Sequence, residues 1–400
     1  MILQLDMIQT IALASVLLFL GQRLKNSVEL LDRFCIPAPV IGGLIFAIFT
    51  LFLRQNGILE FEMDTTLQDF LMTTFFTTVG FTASFKMLKR GGLKVLVFTV
   101  LASVLVIMQN VIGIGLSNVF HLDHLLGLST GSASMTGGHG TSLAFAPLFE
   151  QAGATGATTV AMAAATFGLI TGSMLGGPVA KRLIEKNGLL VKEDSSQKPL
   201  QETVKIVEET KLRQLIPENF TTATSQIILA MGIGTIVSML FQGTGMTFPS
   251  YIGAMLAAAI MRNVSDITNS YQIQSDEIDI MGSISLSLFL SMALMGLKLW
   301  QLVDLAGPMV AMLASQALLM GSFAYFITFN LMGRDYEAAV LAGGHCGFGM
   351  GATPNAIANM EAITGKYGPA PSAFLIIPLV GSMFIDFFNA GTITVFMNLF

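Results

Sequence analysis

Long apolar runs separated by short polar breaks dominate the chain. A helix needs roughly 20 mainly apolar residues to cross a bilayer. Ten stretches fit that pattern, at about 6–22, 36–53, 69–86, 95–118, 158–180, 224–242, 248–262, 279–297, 305–332 and 372–397. Two further uncharged stretches are too broken for simple spans: 125–149, which contains SMTGGHGTS, and 338–360, which contains GGHCGFGMGATPN. Five of the nine residues from Gly343 to Gly351 are glycine. Glycine-rich backbone is a poor helix and a poor strand. At membrane depth, irregular backbone is tolerated only inside protein or along a watery cavity. The pattern predicts an all-α polytopic membrane protein with ten transmembrane helices.

The same pattern repeats. Pro37 and Pro249, Asp64 and Asp276, Lys86 and Lys298, Asp123 and Asp335, Gly131 and Gly343, Thr141 and Thr353, and Gly156 and Gly368 all lie 212 positions apart. Each half then holds five spans, and an odd number makes the second half enter from the opposite side. The expected organisation is an N-terminal repeat over 1–182 with a re-entrant hairpin at 125–149. A linker at 183–218 follows, then an inverted C-terminal repeat over 219–400 with its hairpin at 338–360. Each hairpin falls between the fourth and fifth spans of its half. Inverted repeats with broken helices near the midplane are the architecture of secondary transporters.

Composition agrees: 53% of residues are hydrophobic and 11% charged, against about 25% charged in soluble domains. The net charge of −5 matters less than where the basic residues fall. With both termini on the outer side, Arg54 and Lys298 lie outside and the other 18 of 20 lysines and arginines lie inside, as the positive-inside rule prefers. The start of the chain has no basic region or small-residue cleavage site and reads as a retained first span. Cys35 and Cys346 fall in separate segments and are expected to remain unpaired. The mixed-charge linker reads as partly an amphipathic surface helix.

Candidate chemistry concentrates at the two hairpin tips. Glycines let backbone amides approach a ligand closely, and a helix N-terminus offers unpaired N–H groups and a partial positive charge to an anion. Unwound carbonyls and hydroxyls offer hard oxygen ligands to a cation such as sodium. Pro354 fits a first helical turn, which places Asn355 and Asn359 on one helix face. The solute-binding candidates are Ser134, Thr136, Gly137, Gly138, His139, Gly140 and Thr141 in the first tip, with Gly349, Gly351, Thr353 and Asn355 in the second. Asp386 is an acid inside the last span, where burial is expensive unless the group is paired or functional. The cation candidates are Asp386, Asn359, Asn389, Ser134 and His345. Gln109 and Asn110 either line the path or bond a neighbouring helix. No arginine lies inside a span or hairpin, so a guanidinium clamp requires Arg262 or Arg334 to reach in from the cytoplasmic face. There is no HExxH, nucleophile elbow or Walker motif. An enzyme and an ATP-driven pump are therefore excluded, and a channel has no need of antiparallel repeats. The residues alone point to transport of an anionic or zwitterionic solute with a monovalent cation.

Several runs go further. GGHGT (137–141), VAMAAATFGL (160–169), GGPVA (176–180), SLSLFLSMALMGLKLW (285–300), AAVLAGGHCGFGMGATPNAIANM (338–360) and FIDFFNA (384–390) resemble the bacterial sodium:glutamate symporter family, over nearly the whole chain. The resemblance implies sodium-driven uptake of L-glutamate across the bacterial inner membrane, with Na+ as coupling ion and no cofactor. It also implies a homodimer in which one bundle, hairpins included, moves against a dimerisation scaffold in an elevator-like way. Its implied partners are glutamate, sodium and the lipid bilayer, not nucleic acid. The alternatives are a sodium- or proton-coupled carrier of another small carboxylate, and a channel-like pore.

Overall fold

A computed structural model of the chain describes residues 2–34, 36–90, 92–189, 216–242, 249–302 and 305–399. Cys35 and most of the expected linker, 190–215, lie outside them. The fold is helical and polytopic: seven described helices are long and apolar enough to cross a membrane. The main helices are α1 (Met7–Ser27), α2 (Ala38–Gln55), α3 (Thr66–Thr82), α4 (Gly92–Val119), α5 (His124–Ser129), α6 (Gly138–Gln151), α7 (Ala157–Asn187), α8 (Pro217–Gln242), α9 (Ser250–Thr268), α10 (Ser275–Met295), α11 (Ala306–Ser322), α12 (Tyr336–Gly349), α13 (Thr353–Tyr367) and α14 (Pro371–Leu379). α11 continues through a π-helical turn, Phe323–Thr328, into Phe329–Leu331. α14 likewise continues through Val380–Phe384 into Ile385–Leu399, with Pro378 just before its π-helical turn. A proline removes a helical N–H, and such turns absorb the break.

Local chemistry starts and stops these helices where the sequence changes. Asp6 caps α1 in a capping box with Gln9. Asp123 and Asp335 cap α5 and α12, accepting from the amides of Leu125 and Ala338. Pro37 and Pro249 precede α2 and α9 with nearly the same backbone angles, φ −62° and ψ 138° against φ −56° and ψ 138°.

Two features refine the expected helical pattern. The chain is not wholly helical: Ile2–Leu5 (β1) pairs in parallel with Glu60–Met63 (β2). β2, Glu-Phe-Glu-Met, alternates polar and apolar residues, the period of a strand. The glycines of 343–349 do not break the chain either. Helix α12 runs through them, and the break is confined to 350–352. Packing outweighs the propensity cost of about 1 kcal/mol per glycine. A Cβ on Gly347 would sit 2.5 Å from the Ala356 amide, and one on Gly343 would sit 2.6 Å from Ile363. The glycines therefore bring α12 and α13 into close antiparallel contact.

The helices form two bundles. α1, α2, α3, α8, α9 and α10 pack on one another; α4 to α7 and α11 to α14 pack on one another. The second bundle has a continuous apolar core that includes Phe98, Leu105, Met320, Phe348 and Ile377. Between bundles α10 packs on α6 and α3 on the π-helical turn of α14, and one apolar cluster that includes Tyr251, Phe289, Phe145 and Ile393 spans both. Among the described residues, two short helices at Phe85–Arg90 and Leu299–Leu302 lie in links between the bundles.

Contacts sort the chain into two faces. One carries β1, β2 and Arg54, whose guanidinium ion-pairs with Glu60 at 2.9 Å and lies 3.8 Å over the Trp300 ring. The other carries the Ser84–Asp266 contact, the Lys94–Asp335 pair and the Lys186–Tyr325 contact.

Candidate functional site

A cavity of about 590 Å³ opens on the seam between the bundles, within the range of small-molecule sites. The first bundle contributes Phe75, Thr78 and Thr82 of α3 and Asp279, Ser283 and Leu286 of α10. The second contributes both breaks between paired helices, together with Leu169, Gly381 and Asp386. Ten of the expected site residues line this cavity: Thr136, Gly137, Gly138, His139, Gly140, Thr141, Gly351, Thr353, Asn355 and Asp386.

The two tips are joined by one side chain. Gln109, fully buried in α4, donates from Nε2 to the Gly349 carbonyl at 2.7 Å. Its Oε1 accepts from Thr136 Oγ1 at 2.8 Å, and Thr136 also reaches Gly349 O at 3.4 Å. Gln316 of α11 donates to the backbone carbonyl of Gln109 at 2.8 Å, which fixes that turn of α4. Close approach of backbone completes the junction. A Cβ on Gly138, whose φ is +61°, would lie 2.9 Å from Gly351 O, and one on Gly168 would lie 2.3 Å from Met350 O.

The break in each pair leads directly into a helix whose first turn borders the cavity. α6 begins at Gly138 and α13 at Thr353, and neither has a side-chain cap. An uncapped N-terminus leaves backbone N–H groups without helical partners and forgoes about 1 kcal/mol. These two starts face the cavity; α1, α5 and α12 are capped by aspartates, while α2, α3, α7, α9, α10, α11 and α14 also lack a side-chain cap. Among the described residues no lysine or arginine lines the cavity, and two carboxylates, Asp279 and Asp386, do.

The other expected residues are placed elsewhere, each with local work to do. Ser134 Oγ bonds to the Ser129 carbonyl, to Ser142 Oγ at 2.9 Å and to Ala161 O at 3.0 Å. Gly349 offers its carbonyl to Gln109 rather than to the cavity. Asn359 donates to Gly172 O at 2.9 Å and so holds α13 on α7. Asn389 donates to Ser132 O at 3.2 Å. His345 is fully buried among Phe98, Phe323 and Phe348, with Nδ1 2.8 Å from Thr328 Oγ1. Of the cavity residues, Asn355 holds Ser173 Oγ at 2.6 Å and Leu169 O at 3.1 Å, and His139 Nε2 lies 3.0 Å from Thr166 Oγ1. Sequence reasoning did not single out Asp279, Ser283 or the α3 threonines. An acid at the start of a run dotted with serines was the available signal, and it resembles an ordinary helix start.

A family model described as sodium/glutamate symporter matches residues 3–369. A sodium/glutamate symporter of Escherichia coli strain K12 is 42% identical over 401 aligned residues, covering 99% of this chain and 98% of the relative. One from Haemophilus influenzae is 40% identical over 393, covering 97% and 96%.

Proposed function

The chain belongs to the sodium/glutamate symporter family, and from that premise we propose that it carries L-glutamate into the cell with sodium, by alternating access. The observation that carries the reading is the cavity on the seam: two uncapped helix starts face it, two carboxylates line it, and among the described residues no lysine or arginine does. The two carboxylates of glutamate take the place of the missing caps, one at Gly138–His139–Gly140 and one at Thr353–Pro354–Asn355. A solute of net negative charge entering beside Asp279 and Asp386 is held only if cations enter with it. Coupling to sodium is then an electrostatic requirement of the site, and Asp386 is its candidate ligand.

The movement is that of the second bundle against the first. Supporting this reading, the α5–α6 pair leaves and returns on the Trp300 face. There a Cβ on Gly156 would lie 3.3 Å from Gln301. The α12–α13 pair leaves and returns on the opposite face, where Tyr336 bonds Gly368 O and Tyr367 bonds Glu185. Ten spans, two inverted repeats and two re-entrant hairpins follow, with both termini outside a bacterial inner membrane. A homodimer held through the first bundle completes the arrangement. Transport by the purified protein in proteoliposomes tests the proposal. An inward sodium gradient should drive saturable glutamate uptake; uptake driven by a proton gradient and indifferent to sodium overturns it.

A further inference from the structure

We propose that Arg262 is a staging site for the solute's carboxylate, on the route between the central cavity and the face that carries Ser84 and Asp266. The inference rests on the cargo being an anion.

The geometry of the route leads to it. The central cavity shares Thr82 and Asp279 with a chamber of about 200 Å³. That chamber shares Arg262 and Ser275 with an outer pocket of about 390 Å³. Three cavities thus lie in line, and Arg262 borders both of the outer two. Inside the central cavity the solute meets two carboxylates and, among the described residues, no lysine or arginine. The guanidinium stands beyond Asp279 and beside Asp266, where a departing anion would otherwise pass two carboxylates.

Arg262 is held where it can exchange partners. Nε donates to Asp266 Oδ2 at 3.3 Å and Nη1 to Ser275 Oγ at 2.9 Å. These bonds occupy two of the five N–H groups of a guanidinium. Asp266 also accepts from Ser84 Oγ, so it keeps a donor when the arginine turns away. The ends of α3 and α9 are tied separately, by Asn263 to Ala83 O at 2.7 Å and from the Phe85 amide at 2.9 Å. The junction therefore does not depend on Arg262 alone. A guanidinium matches a carboxylate fork by fork, as an ammonium does not. Partner exchange at Arg262 would let the solute cross the neighbourhood of Asp279 without a bare charge.

The test uses full-length wild type, Arg262→Gln, Arg262→Lys and Asp266→Asn, in detergent for equilibrium glutamate binding and in proteoliposomes for glutamate counterflow. Ionic strength is raised with choline chloride at fixed sodium. Arg262→Gln should lower the counterflow kcat/KM about tenfold while leaving the binding Kd within about threefold, a rate defect without an affinity defect. Wild-type kcat/KM should fall with salt, and that dependence should vanish in Arg262→Gln. Arg262→Lys should restore the salt dependence and part of the rate, and Asp266→Asn should match or exceed wild type. Equal losses in Arg262→Gln and Asp266→Asn, with salt dependence intact in both, would make the arginine a helix latch and overturn the proposal. So would a Kd that rises as much as kcat/KM falls. Absence of sodium-dependent counterflow in the wild type instead refutes the symport reading itself.

Discussion

Removing the Gln109 side chain tests whether the two helix breaks act as one unit. Gln109→Leu keeps the bulk but deletes a donor to Gly349 O at 2.7 Å and an acceptor for Thr136 Oγ1 at 2.8 Å. Interhelical hydrogen bonds in membranes average only about 0.6 kcal/mol each, so the two together amount to roughly 1 kcal/mol. The larger effect is the Gly349 carbonyl left buried, which costs about 1–3 kcal/mol when unpaired. Thr136 Oγ1, already 3.4 Å from that carbonyl, can turn to it and recover part of the loss. The net expectation is about 2 kcal/mol of destabilisation, read as a lower unfolding midpoint of the purified protein. Because Thr136, Gly137, Gly138 and Gly351 are cavity wall, the KM for glutamate should rise as well. A double-mutant cycle with Thr136→Val should show coupling above about 0.5 kcal/mol. Gln109→Leu with an unchanged midpoint and KM, or a cycle that is additive, refutes the clamp.

Two further outcomes follow from the same packing. Gly168→Ala places a Cβ 2.3 Å from Met350 O, so backbone must move, at about 1–3 kcal/mol for overpacking; uptake per folded molecule should fall sharply, and a fully active Gly168→Ala would show that this contact does not position the second break. Asp386→Asn should raise the sodium concentration for half-maximal uptake about tenfold, equivalent to about 1.4 kcal/mol; an unchanged sodium titration removes Asp386 as a cation ligand.

Much of this was legible in residue order because it depends on local pattern. Apolar run length located the main helices to within a few residues at most ends. The offset that pairs Asp123 with Asp335 and Pro37 with Pro249 marks real helix starts. Pro354 falls in the first turn of α13 as expected, and Asn355 and Asn359 both turn toward α7. What was hidden depends on partners distant in sequence. Glycine at 343 and 347 reads as a breaker until Ile363 and Ala356 are seen pressed against it. Gln109 stands out as a residue that lines the path or bonds a neighbouring helix, but its partner Gly349, 240 positions away, is not named by residue order. Asn389 and His345 are polar and deep, which made them ligand candidates. Their bonds to Ser132 and Thr328 are invisible in sequence. Asp279 went unnoticed because a carboxylate in the first turns of a helix is also what the macrodipole favours.

Trp300 gives the molecule an optical property of its own. It is the sole tryptophan among 30 phenylalanines and 5 tyrosines, and it sits in the short link Leu299–Leu302 that joins the two bundles. Its indole lies beneath the Arg54 guanidinium of the first bundle. A shift of one bundle against the other would stretch or bend that link and change the charge and water around a single chromophore. Indole emission then comes from one address, at the joint, so an unlabelled wild-type protein carries a built-in gauge of its own conformational cycle.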